Sequence, residues 1–189
     1  MSELTAADLA TYTSGRLDGS NPATQDVVDA ALAAARRYCG WYVTPVQTGQ
    51  EITVDGPGGR VLSLPTLNLI EVTAVTEEGV VLDVSKLDVS RRKGTVEKQS
   101  CWHWSCRDGA IAVTMTHGFT ETEAPDWRRA VLRLANLMSL EPNGDAQRDS
   151  PEMKRKQIDD VDYQWYDKLI SIDDRLASMF AQYRILPSP

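Results

Sequence analysis

Ile111-Ala112-Val113-Thr114-Met115-Thr116-His117-Gly118-Phe119, followed by Pro125 and the run Trp127 to Leu140, is where the chain changes its hydrophobic period. Ala110 to Thr116 is rich in β-formers and reads as a strand. Past Gly118-Phe119 the period lengthens: Trp127, Val131, Leu134, Ala135 and Met138 share one helical face, and Pro125 stands where a first helical turn tolerates it. The spacing predicts a helix over 125–141, stopped by Pro142-Asn143-Gly144-Asp145.

Upstream, the strand period extends back through a block from about 50 to 117. Glu51 to Asp55, the turn Gly56-Pro57-Gly58-Gly59 and Arg60 to Leu64 read as a hairpin. Leu69 to Thr76 turns at Glu77-Glu78-Gly79 and returns through Val80-Val81-Leu82, and Arg91-Arg92-Lys93-Gly94 makes another turn before Thr95-Val96-Glu97. Short strands and tight turns imply a small antiparallel β unit. It lies between helices. Residues 5–13 read as a short helix and 24–40 as a longer one, capped by Thr24, with Asp26 in its first turn, Val27, Val28, Ala31, Leu32, Ala35 and Tyr38 at helical spacing, Arg36 and Arg37 near its end, and Gly40 closing it. Downstream, Ser171 precedes a last helix carrying Leu176, Met179, Phe180 and Tyr183. The expected class is α+β, a helical scaffold with an antiparallel β insertion, arranged as a core over 1–157 and a C-terminal arm over 158–189.

The composition narrows the function. A chain of 189 residues, 42% hydrophobic, can bury a substantial core. Its net charge of −7 argues against a large basic face for gripping nucleic acid. Met1-Ser2-Glu3-Leu4 starts acidic, without the basic and apolar regions of a signal peptide, and no stretch is apolar for long enough to span a bilayer. Three cysteines do not make a disulfide framework, so the expectation is a protein made in a cytoplasm. With only His103 and His117, no nucleophile elbow and no paired-histidine helix, no acid and base are nominated. The reading is non-enzymatic and without a cofactor.

Cys101-Trp102-His103-Trp104-Ser105-Cys106 carries metal-ligand chemistry: Cys101, His103 and Cys106 could occupy three corners of a zinc tetrahedron, with His117 across the hairpin as a fourth. The plainer reading is an aromatic hairpin tip with two ordinary thiols, and a disulfide between them is a further one. Gly56-Pro57-Gly58-Gly59-Arg60 lacks the lysine and hydroxyl residue of a phosphate loop and reads as a turn. The basic runs Arg91-Arg92-Lys93 and Lys154-Arg155-Lys156 are offset by acids such as Asp88, Glu97, Glu152, Asp159 and Asp160, and read as solvated charge. Tyr163, Trp165, Tyr166, Phe180 and Tyr183 stand among charged residues; such aromatics either anchor an interface or pack on their own core.

The order of elements resembles that of the head-to-tail adaptor proteins of tailed bacteriophages, particularly those of phages infecting actinobacteria. The likeness lies in Ala34-Ala35-Arg36-Arg37-Tyr38-Cys39-Gly40-Trp41-Tyr42 leading to Pro45, in Leu62-Ser63-Leu64-Pro65-Thr66-Leu67 running into Ile70-Glu71-Val72-Thr73-Ala74-Val75, and most specifically in Ile111 to Phe119 with Pro125 and its helix. Ile158-Asp159-Asp160-Val161-Asp162-Tyr163 and a helix ending Tyr183-Arg184 resemble the adaptors' C-terminal arm. The resemblance implies a structural virion protein of the head-tail neck, assembled in the host cytoplasm. It would form a dodecameric ring with neighbouring copies beneath the portal protein, extend the DNA channel, and dock a downstream neck, stopper or tail protein. DNA would pass through without specific binding. Tyr163, Trp165, Tyr166, Met179, Phe180 and Tyr183 would be portal-facing or inter-subunit anchors. The alternatives are a β-rich binding module with Trp102-His103-Trp104 as its site, and a small zinc-binding protein.

Overall fold

The structure is a computed structural model, and it describes residues 3–100, 102–140, 170 and 173–185. The chain divides into two compact units, Met1–Cys39 with Pro125–Arg184, and Gly40–Ala124 with Ile185–Pro189. The fold is α+β: among the described residues, helices make the first unit and two small antiparallel sheets the second.

In the helical unit, α1 (Ala6–Tyr12) opens with a reciprocal cap in which the Thr5 side chain accepts from the Asp8 N–H and Asp8 accepts from the Thr5 N–H. Helix α2 (Pro22–Cys39) starts two residues before the expected Thr24. Its first turn is set by Pro22, pre-organised for a first helical position, and by Asn21, whose side-chain oxygen accepts from the Ala23 N–H at 2.9 Å. Thr24 is therefore not the cap: it is buried inside the helix and donates to the Asp18 carbonyl at 2.8 Å, which moves Asp26 out of the first turn. Helix α3 (Pro125–Met138) buries Trp127, Val131, Leu134 and Ala135 as read from the sequence, and also Ala130 and Leu132, while Met138 is only half-buried; it ends before the expected residue 141. Helix α4 (Asp174–Ala181) is capped by Asp173, whose carboxylate accepts from the N–H groups of Arg175 and Leu176. It buries Leu176 and Phe180. The expected stop at 142–145, the basic run 154–156 and the arm from 158 to 169 lie outside the described residues.

The β unit is built around β7 (Ile111–His117), where Ile111, Val113, Met115 and His117 point inward in strict alternation. It pairs on one side with β1 (Gln47–Val54) and on the other with β3 (Leu69–Glu77), which turns through Glu78-Gly79 into β4 (Val80–Leu82), giving the order β1-β7-β3-β4. A second sheet, β2-β6-β5, joins β2 (Val61–Ser63), β6 (Thr95–Lys98) and β5 (Leu87–Ser90). The turns at 77–79 and 91–94 occur where expected. Two register shifts in the β3–β7 ladder explain why the buried residues of β3, Leu69, Val72 and Val75, recur at every third position instead of every second. Both sheets contribute to one apolar core, with Leu62 and Val96 from the smaller and Val75, Ile111, Val113 and Met115 from the larger.

The hairpin expected from 51–64 does not form: β1 and β2 belong to different sheets. The glycines between them serve another chain segment. The Gly56 and Gly58 N–H groups donate to the carbonyls of Arg107 and Ser105, at 2.9 and 3.0 Å, and the Trp104 N–H donates to the Gly59 carbonyl at 2.8 Å. A Cβ on Gly56 would lie 2.1 Å from the Ser105 oxygen, so glycine is required by this close approach. Residues 56–59 are thus a docked backbone segment and not merely a turn.

Candidate assembly surfaces

The aromatic residues of the C-terminal region meet different fates. Phe180 is fully buried, edge-on to Trp127 with ring centroids 5.3 Å apart and 6.2 Å from the Tyr38 ring. Tyr183, in the turn after α4, is buried edge-on to Trp127 at 5.6 Å. Full burial of one such side chain contributes about 2–3 kcal/mol, and each edge-to-face pair about 1 kcal/mol more. These two residues are committed to the interior of their own unit. Met179 is half-buried on α4, while Tyr163, Trp165 and Tyr166 lie outside the described residues.

Polar contacts hold α4 in place. Asp126, in the first turn of α3, accepts from the Tyr183 hydroxyl and from the Gln182 side-chain amide, where the positive end of a helix favours a carboxylate. Burial, reinforced by the bond to Asp126, drives the Tyr183 hydroxyl well above the usual phenol range, so it stays a donor. Farther along α3, Arg133 forks onto Asp173 through Nε at 3.1 Å and Nη2 at 2.8 Å. Partial burial opposes ionisation of Asp173, but the Arg133 contact and the capped N–H groups outweigh it and hold its carboxyl below the usual range. At the end of α2, where the Cys39 Sγ lies 3.9 Å from the Phe180 carbonyl of α4, burial pushes the thiol up to about 12, so it is a core thiol and no nucleophile. The sequence pattern does not single out Asp126, because its partners lie 56 and 57 positions away.

In the β unit, the tip expected at Trp102-His103-Trp104 is not uniform. Trp104 is core: it is 2% exposed, its indole N–H donates to the Arg60 carbonyl, and Lys98 Nζ sits 4.6 Å from its ring centroid. That lysine is held by Glu77 at 2.6 Å, and the same carboxylate accepts from the Ser105 N–H. Trp102, by contrast, is 75% exposed, and so is Val81 on the edge strand β4. The binding-module alternative therefore loses Trp104 from its proposed site, a correction that follows from the indole's burial and its bond to Arg60.

His103 and Cys106 are exposed, and Cys101 lies outside the described residues. Among the described residues no group of His, Cys, Asp and Glu is arranged to hold a metal ion. His117 is buried, with Nε2 2.8 Å from the Gln50 side-chain oxygen and its ring stacked on Trp41. Burial lowers its pKa, favouring the neutral imidazole.

No helix among the described residues is long and apolar enough to cross a membrane. No family model matches the sequence, and no curated protein matches it either. Solved structures do match. One, described as the neck of a native gene transfer agent particle computed with C12 symmetry, aligns with a TM-score of 0.58 at 12% identity, covering 100% of this chain and 95% of its own. Another, the neck of an empty particle computed with C6 symmetry, aligns with a TM-score of 0.62 at 14% identity, covering 98% and 91%. Along nearly its whole length, this chain has a fold found in the necks of phage-like particles.

Proposed function

We propose that this chain is a structural, non-enzymatic neck protein of a phage-like particle: a head-to-tail adaptor whose copies form a ring beneath the portal, extend the DNA channel and dock the next neck or tail protein. The observation that carries the reading is the near end-to-end correspondence with neck proteins solved as symmetric assemblies, which favours a whole-chain structural role over a grafted binding site. A ring of identical subunits uses two different faces of each copy, a heterologous contact that closes when the rotation per subunit is set. Twelve copies matched to a portal would meet that condition. An overall acidic chain suits a DNA conduit, since firm grip comes from neutralised phosphates and released counterions.

In this reading the chain from 158 onward reaches the portal, with Tyr163, Trp165, Tyr166 and Met179 as contact residues. Phe180 and Tyr183 keep the last helix attached to its own unit through the Trp127 contacts. The test is to mix the purified chain with portal rings of the same particle and image them by electron microscopy. A ring of added density on the portal's outer end is expected. No binding between folded chain and intact portal would refute the adaptor assignment.

A further inference from the structure

Arg91, Arg92 and Lys93 are three consecutive exposed cations at the tip of the β5–β6 hairpin. None of them has an ion-pair partner among the described residues, whereas Lys98, Arg128 and Arg133 are each paired with a carboxylate. The acids that look in sequence as though they offset this run stand away from it. Asp88 and Glu97 face each other across the ladder two residue pairs below Ser90 and Thr95, the last pair before the tip, and Asp88 accepts from the Gln99 side chain. At a rise of about 3.3 Å per residue, they lie roughly 7 Å below the base of the turn and farther from its end. That is close to the screening length of about 8 Å at physiological salt, so they offset the tip only in part.

The turn is also rigidly built. The Leu69 N–H donates to the Arg91 carbonyl at 3.1 Å, and the Leu64 N–H donates to the Gly94 carbonyl at 2.8 Å. Gly94 has φ +62° and is buried so closely that a Cβ would sit 2.3 Å from the Thr66 oxygen. The backbone is engaged by its neighbours while three cationic side chains project from a fixed base. This arrangement lowers the ordering cost of meeting a polyanion.

We propose that the Arg91-Arg92-Lys93 tip contacts the phosphate backbone of duplex DNA. The choice of DNA among polyanions rests on the neck reading, in which this chain surrounds a DNA channel. The chain's net charge of −7 keeps the contact weak, and a ring would repeat it once per copy. DNA is then steadied at one level of the channel without sequence recognition.

The experiment is an amide-resolved NMR titration of the full chain with a short random-sequence duplex. The expected result is shift changes centred on residues 90–94. With three phosphate contacts, the salt slope is about −2.7, or about 40-fold weaker binding between 50 and 200 mM salt. Arg91→Ser/Arg92→Ser/Lys93→Ser is expected to abolish the shifts while the rest of its spectrum verifies folding; Arg91→Lys/Arg92→Lys is expected to keep them. Absence of tip shifts at 50 mM salt, or shifts that survive the triple substitution, would overturn the proposal. So would an equal response to polyglutamate or inorganic phosphate, which marks a general anion site or an acidic protein partner. A chain that docks on portal rings but whose tip ignores DNA sinks this inference alone; one whose tip binds DNA but never docks sinks the neck reading.

Discussion

The two units solve the problem of holding short elements together in opposite ways. In the helical unit each helix is largely specified by its own residues, through caps at Thr5, Asn21 and Asp173 and the apolar stripe of α3. Its long-range contacts are made through side chains, among them Phe180 and Tyr183 on Trp127, Arg133 on Asp173, Arg128 on Asp8, and Gln25 on the Leu4 and Ala6 backbone. The β unit depends on distant backbone. Its central strand pairs with segments about 40 and 60 positions away, and a glycine-rich stretch docks on residues 104–107. The comparison teaches that the first unit should be vulnerable to truncated side chains, and the second to any atom added where two backbones meet.

The largest expected effect breaks the helical unit. Phe180→Ala removes a fully buried ring that touches both Trp127 and Tyr38, and is expected to cost about 3–5 kcal/mol in urea unfolding. Hydrogen exchange should locate the loss in α3 and α4. A cost below about 1 kcal/mol would mean the ring is not a core element and would return it to the list of interface anchors.

A smaller loss is expected from adding one methyl group in the β unit. Gly56→Ala should force apart the 56–59 and 104–107 segments and cost about 1–3 kcal/mol by thermal unfolding. Gly79→Ala is the control: nothing lies within 4 Å of its Cβ, so only the strain of φ +82° remains, about 1 kcal/mol. Equal losses at the two positions would contradict the docked-backbone account.

The smallest effect sharpens the comparison through pH. The Nδ1 of His117 is buried without a partner among the described residues, and the depressed pKa means the folded chain resists protonation. As pH falls below about 6.5 the unfolded chain takes up a proton that the folded chain does not, so stability declines until the folded pKa is reached. His117→Gln should flatten this part of the stability profile measured between pH 7.5 and about 5. An unchanged slope would assign it to other groups.

What the sequence determined by itself was local. The switch of hydrophobic period near Gly118, the face of α3, the turns at 77–79 and 91–94, and the α+β class all follow from residues within a few positions of one another. The expected anchors were legible as a group of aromatics, but not in their separate roles: whether Phe180 faces a partner or Trp127 depends on a residue 53 positions away along the chain. Only the tertiary structure decided that β1 and β2 join different sheets, that Trp104 is core while Trp102 is exposed, and that the cations at 91–93 stand clear of their sequence neighbours. The physical reason is that strand pairing and burial are settled by competition among all segments of the chain, whereas caps, turns and periods are settled by sterics and hydrogen bonds within a single segment.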